Sequence, residues 1–156
     1  QFPPSFSYCT KNLNYIKYIK EKFSYPELAI EFRSADWHHG SVYKFFKVNE
    51  LVSVVVDLPN LPGLPECIFH TTHKIGYVRL HGKNGATWHN QKLGDRYDYN
   101  YFSSELEIWS NHTEEMSELA GVTYLFFNNC HLGQAVENAA RLRELLTDEF
   151  KFISVS

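Results

Sequence analysis

The chain has 156 residues, 44% hydrophobic and 21% charged, with a formal net charge of −3. This is the composition of one globular domain with a real core, and it excludes a broad basic footprint for nucleic acid. No apolar run approaches the ~20 residues that span a bilayer, so no membrane partner is expected.

Gln1-Phe2 reads as a strand stub stopped by Pro3-Pro4, because proline cannot donate to a sheet ladder. Leu13, Ile16, Ile19 and Phe23 recur at helical spacing and predict an amphipathic helix over residues 12–23. A strand over 28–33 follows. Val42, Phe45 and Phe46 mark a short helix before a strand over 51–57. Residues 57–73 hold Pro59, Pro62 and Pro65 and form a long loop. The strand over 76–82 leads into a second long loop, 83–101. Loops of this length are functional or mobile. Ser104 and Glu107 have capping-box spacing and open a helix that runs to about Leu119, with Gly121 suited to its end. A strand over 122–129 precedes a last helix marked by Val136, Ala139, Leu142, Leu145 and Leu146. Alternating strands and helices imply βα units on a parallel sheet, in either a small doubly wound domain or part of a barrel.

Cys9, Cys67 and Cys130 are odd in number and widely spaced. They make neither a metal pattern nor a disulfide framework, so free thiols and a cytoplasmic location are expected. No leader is legible, and the true N-terminus is not visible. Asn111-His112-Thr113 fits the glycosylation pattern by chance.

Several spaced motifs carry a resemblance. They are Gln1-Phe2-Pro3-Pro4-Ser5-Phe6; Glu31-Phe32-Arg33 followed by Trp37; Asp57 at a strand end; and Tyr77-Val78-Arg79-Leu80-His81-Gly82. Further on come Tyr97-Asp98-Tyr99, then Glu105-Leu106 and Trp109, and Phe127-Asn128-Asn129 before Gly133-Gln134-Ala135 and Asn138-Ala139. In this order they resemble the YecE-like family, a domain of unknown function (number 72). The resemblance implies a (β/α)8 TIM-barrel fold, with residues 1–156 supplying roughly strands 4–8 of a single barrel domain and the N-terminal strands absent. It implies no established activity. Lys83 departs from the pattern, where arginine is more usual.

Alternation along the strands then assigns a site. Glu31 and Arg33 share a parity, as do Arg79 and His81, and Asp57 shares one with Ser53 and Val55. The opposite sets, Ile30 and Phe32, Val78 and Leu80, and Val54 and Val56, are expected under the helices. The polar sets then point into the barrel at the strand C-terminal ends, where barrel enzymes place their sites. In this reading His81 transfers a proton and Glu31 or Asp57 orients it. Arg33, Arg79, Lys83, the Gly82 turn, Asn128 and Asn129 hold an anion near the start of the last helix. Trp37 and Tyr97 are candidates for stacking on a ligand. The competing reading is structural: a neutral ion-pair network, a glycine that turns the chain, asparagines that satisfy buried backbone, and aromatics that cover the mouth.

Glu31, Asp57 and His81 could together ligate a divalent metal, but the arginines beside them oppose a cation, and no cofactor is expected. Cys130, next to His131, reads as a small loop residue, and His38-His39 as a solvated pair. The leading function is an enzyme acting on a phosphorylated or otherwise anionic substrate, such as a sugar phosphate or phosphodiester. The alternative is a non-catalytic module that binds a nucleotide, a nucleic acid or a protein. A half barrel leaves open strand edges, which a second copy or the absent N-terminal half is expected to cover.

Overall fold

The computed structural model describes residues 1–23, 27–90 and 95–146. The helices are α1 (Thr10–Lys22), α2 (Gly40–Val48), α3 (Ser103–Leu119) and α4 (Gln134–Leu145). The strands are β1 (Leu28–Ile30), β2 (Leu51–Ser53), β3 (Val55–Asp57), β4 (Ile75–Leu80) and β5 (Val122–Phe127). Every strand pairing is parallel, with Leu28 opposite Leu51, Val55 opposite Val78, and Val78 opposite Leu125.

β2 and β3 are one extended segment whose ladder changes partner at Val54, and Val54 N–H donates to the Ile30 carbonyl at 3.0 Å. The ladder also runs past the strand ends. His81 N–H donates to Asp57 O at 3.1 Å, and Asn128 N–H to Leu80 O at 2.7 Å. Phe2 N–H donates to Glu31 O at 2.9 Å, so the N-terminal stub lies beside β1. The sheet order thus follows the chain, and the two long loops leave from the C-terminal ends of β3 and β4.

The four described α-helices cover one face. Ile16 of α1 and Val42 and Phe46 of α2 pack on Ile30, Phe32 and Leu51. Leu106, Trp109 and Met116 of α3 and Leu142 of α4 pack on Val55, Val78 and Leu80. α3 approaches β4 so closely that a Cβ on Gly76 would stand 2.6 Å from the Met116 sulfur. On the opposite face, called the open face below, no described helix packs. Val54, Val56 and Trp88 cluster there with Tyr77. Tyr77 stacks on Phe126, ring centroids 5.1 Å apart, while Tyr124 and Phe126 remain 44% and 45% exposed.

Three expectations are corrected. α1 begins at Thr10, two residues early. α3 is capped by Glu105, which accepts Phe102 N–H at 3.0 Å, and not by Ser104 and Glu107. Third, the parity of the β2–β3 segment is reversed: Val54 and Val56 line the open face, and Val55 and Asp57 face the helices. The cause is that residues 51–56 are apolar on both faces apart from Ser53, so alternation carries no signal there.

Candidate functional site

The open face becomes polar where the strands end. Glu31 follows β1, Arg79 is near the end of β4, and His81 and Asn128 follow β4 and β5. Glu31 is 3% exposed and holds two guanidinium groups. Arg33 Nε donates to Glu31 Oε1 at 2.7 Å, and Arg79 Nη1 donates to Glu31 Oε2 at 2.5 Å. Arg79 is held further by Asn128 Oδ1 at 3.1 Å and Gln1 Oε1 at 2.9 Å. Burial by itself would raise the Glu31 carboxyl, but facing His81, Arg33 and Arg79 holds it down at about 2.

His81 is fully buried, and neither ring nitrogen has a hydrogen-bond partner among the described residues. Its Nε2 lies 3.4 Å from Glu31 Oε1, but without hydrogen-bond alignment. Burial lowers its pKa; Glu31 opposes this, while Arg33 and Arg79 reinforce it. The imidazole is therefore neutral at pH 7. The Tyr97 ring stands 6.5 Å from it, centroid to centroid.

Asp57, Gly82 and Lys83 belong to a different cluster, on the helix-covered side. Asp57 Oδ2 accepts the Tyr101 hydroxyl at 2.7 Å, and that hydroxyl accepts Gly82 N–H at 3.0 Å. Burial pushes the Asp57 carboxyl up, against the pull of Lys83 and Tyr101. Lys83 Nζ sits 2.8 Å from Glu105 Oε1 and 3.7 Å from Asp57 Oδ2, so its charge is matched locally. Cys67 lies by this cluster, and burial with Asp57 nearby pushes its thiol up to about 12, which makes it a poor nucleophile.

Asn129 is fully buried among polar groups on the helix side, donating to Tyr99 O at 2.8 Å and Asn138 Oδ1 at 2.7 Å. The start of α4 is crowded by acids: Asp98 accepts from Gln134, and Asp95 and Asp98 flank His131. These carboxylates oppose an added anion at that helix N-terminus. Trp37 is core, sandwiched against Phe32 with ring centroids 4.1 Å apart, its Nε1 donating to Phe6 O at 2.6 Å. His38 is also not a solvated residue: burial and the nearby His70 bring it down to about 4.

Of the residues expected at the site, Glu31, Arg33, Arg79, His81 and Asn128 converge, with Tyr97 close by. Asp57, Gly82, Lys83, Asn129 and Trp37 lie elsewhere. Gln1 was missed, since a stub cut by prolines gives no hint that its glutamine reaches β4. Tyr101 is not among the residues expected at the site, and which groups its hydroxyl meets is set by tertiary packing and not by local pattern. Among the described residues no group of three or more His, Cys, Asp or Glu side chains could hold a metal ion. Likewise, none of the described helices is long and apolar enough to cross a membrane.

Fold and site together define a parallel α/β protein with an Arg–Glu–Arg cluster and a buried neutral histidine at the strand C-terminal ends. The chain belongs to the family described as "Protein of unknown function DUF72", whose model matches residues 1–155. It is 30% identical over 161 residues to UPF0759 protein YunF of Bacillus subtilis, covering 96% of this chain and 57% of that protein. A solved DUF72 family protein of Thermotoga maritima superposes with a TM-score of 0.86 at 38% identity, over 93% of this chain and 55% of that one. One from Enterococcus faecalis gives 0.88 at 27% identity, over 98% and 58%. The chain therefore spans a little over half the length of the relatives it matches.

Proposed function

We propose that the cluster at the strand C-terminal ends binds an anionic ligand, of the phosphate-ester class, and that His81 is its proton-transfer group. The observation that carries this reading is a charge imbalance. Two guanidinium groups, on Arg33 and Arg79, face the single ionised carboxylate of Glu31, and neither arginine forms a second ion pair among the described residues. One positive charge and several N–H donors remain for a ligand, and guanidinium forks suit phosphate and carboxylate oxygens. A neutral imidazole beside them can accept or, through its N–H, donate a proton.

The sheet is read with this as part of a (β/α)8 barrel whose remaining strands would form the other wall of the site. Strand order that follows the chain, helices on one face only and an aromatic open face all support that architecture. The relatives are long enough to hold the other wall. A second reading, a binding module without turnover, is favoured by one observation: His81 is 0% exposed, so a ligand at the arginines does not touch it unless the mouth rearranges.

Calorimetric titration with inorganic phosphate and a simple phosphate monoester tests the proposal. Arg79→Met should weaken binding at least about tenfold, the worth of one charge-assisted hydrogen bond. Absence of any phosphate binding by the folded wild-type chain would refute it. Hydrolysis of the monoester that His81→Gln abolishes would decide for the enzyme over the binding module.

A further inference from the structure

We infer that Tyr101 is a positioning residue for His81: its hydroxyl latches the Gly82 turn to Asp57 and so sets where the imidazole lies against Glu31. The inference builds on the proposed site, which is what gives the placement of His81 its importance.

His81 has no side-chain hydrogen bond of its own to fix its ring. Its position must come from packing and from the main chain on either side. Asp57 grips that main chain twice. Its carbonyl accepts His81 N–H at 3.1 Å. Its carboxylate takes the Tyr101 hydroxyl at 2.7 Å, which in turn accepts Gly82 N–H at 3.0 Å. One residue thus holds the amides of both His81 and Gly82, the first directly and the second through tyrosine.

The Gly82 turn needs such a hold. Its φ is +89°, and a Cβ there would stand 2.6 Å from the Tyr99 Cβ. The turn leaves the ladder, so without Tyr101 the buried Gly82 N–H would have no acceptor. Tyr101 is itself packed in place: 1% exposed, its ring lies edge-on to Phe127 at 5.9 Å within the core under α3. The far end of the network is anchored as well. Lys83 bridges Asp57 and Glu105, and Glu105 caps α3. The start of α3, the end of β3 and the His81 backbone are thereby tied into one unit.

The test follows the His81 ring signal by NMR titration, assigned among the eight histidines by its loss in His81→Gln. The groups facing that ring are Glu31, Arg33, Arg79 and Tyr97. Tyr101→Phe keeps the ring and removes the latch, and Asp57→Ala does the same from the other end. In both, the titration midpoint of His81 should rise by about one pH unit as water reaches the loosened imidazole. Asp57→Asn keeps an acceptor for the Tyr101 hydroxyl and should titrate like the wild type. Should Tyr101→Phe fail to fold, the Ala–Asn contrast at Asp57 decides alone. Lowered melting temperatures with an unmoved His81 midpoint would overturn the inference, since a merely structural bond would do just that. Absence of phosphate binding in the wild type would overturn the anion site only, because the latch is scored on His81 itself.

Discussion

Arg79 on β4 and Glu31 after β1 meet across the strand that separates them, Nη1 to Oε2 at 2.5 Å. The intervening strand presents Val54 and Val56 on that face, and their short side chains leave the long ones room to meet. The pair is part-buried, with Arg79 22% and Glu31 3% exposed. Glu31→Gln leaves two guanidinium groups facing each other without a counter-charge. Removing one partner of a buried pair costs about 3–5 kcal/mol; the partial exposure of the arginines reduces this to roughly 2 kcal/mol. Urea denaturation should show that loss, and adding Arg79→Met to Glu31→Gln should recover part of it. Additive losses would mean that the pair is not coupled.

Acid should weaken the fold in two stages. His81, His38 and His70 all have folded values below the ordinary 6.5. The unfolded chain therefore binds protons that the folded chain refuses. Their contribution is fully present above 6.5 and is lost as pH falls below it. Glu31, lowered from 4.5 to about 2, follows the same sign further down: its contribution is present above 4.5 and fades as pH falls towards 2. Stability measured between pH 7 and pH 5 should thus fall by as much as about 1.4 kcal/mol per pH unit for each buried histidine. His81→Gln should flatten the slope by one such share. An unchanged slope would mean that His81 titrates alike in both states.

Asp57 carries the opposite sign. Its folded value lies above the ordinary 3.8, so its charged form is the disfavoured one. The stability it adds is present below 3.8 and is lost as pH rises through the folded value. Asp57→Asn should therefore leave stability at pH 7 unchanged or slightly raised, in contrast to Glu31→Gln. A loss of more than about 1 kcal/mol would show that the Lys83 pairing outweighs burial.

The contrast between these two acids also explains what was legible in the sequence. β4 alternates Val78 and Leu80 with Arg79 and His81, so its parity is written in polarity: Val78 and Leu80 pack under the helices and Arg79 lies on the opposite face with Glu31. The β2–β3 segment offers Val52, Val54, Val55 and Val56, which are apolar on both faces. Parity there places Asp57 with Ser53 and Val55 on the inward face, whereas its side chain lies on the helix side and its partner is the hydroxyl of a tyrosine 44 positions away. Local pattern does not separate Trp37 from Trp88, since both are loop aromatics. Trp37 packs under the sheet against Phe32, while Trp88 fills the open face over Val54 and Val56. Which loop folds back onto which face is a matter of tertiary packing, and local pattern does not carry it. The strands themselves were legible because short, β-branched and aromatic runs between turn residues are a local property.

Gly82 should tolerate no side chain. Its left-handed φ of +89° disfavours any L residue, and the Tyr99 Cβ occupies the space a Cβ would take. Gly82→Ala combines backbone strain with overpacking and should cost about 2–4 kcal/mol. By comparison, Gly40→Ala meets nothing within 4 Å and sits in α2, where alanine is the better helix former, so it should be neutral or stabilising. Thermal melts of the two variants check the pair.

The open face makes the last prediction. Tyr124 and Phe126 are almost half exposed on β5, and with Tyr77, Ala29 and Val52 they line one apolar groove. No described helix covers it, so these side chains stabilise the chain little as it stands. Tyr124→Ser with Phe126→Ser should lower stability by less than about 1 kcal/mol, far below the usual cost of truncating buried aromatics. The same variant should reduce binding of a hydrophobic dye such as ANS about twofold or more, because a contiguous apolar patch is what such a dye finds. If instead the double variant unfolds the chain and the wild type binds no dye, the face is already buried in solution and the prediction fails.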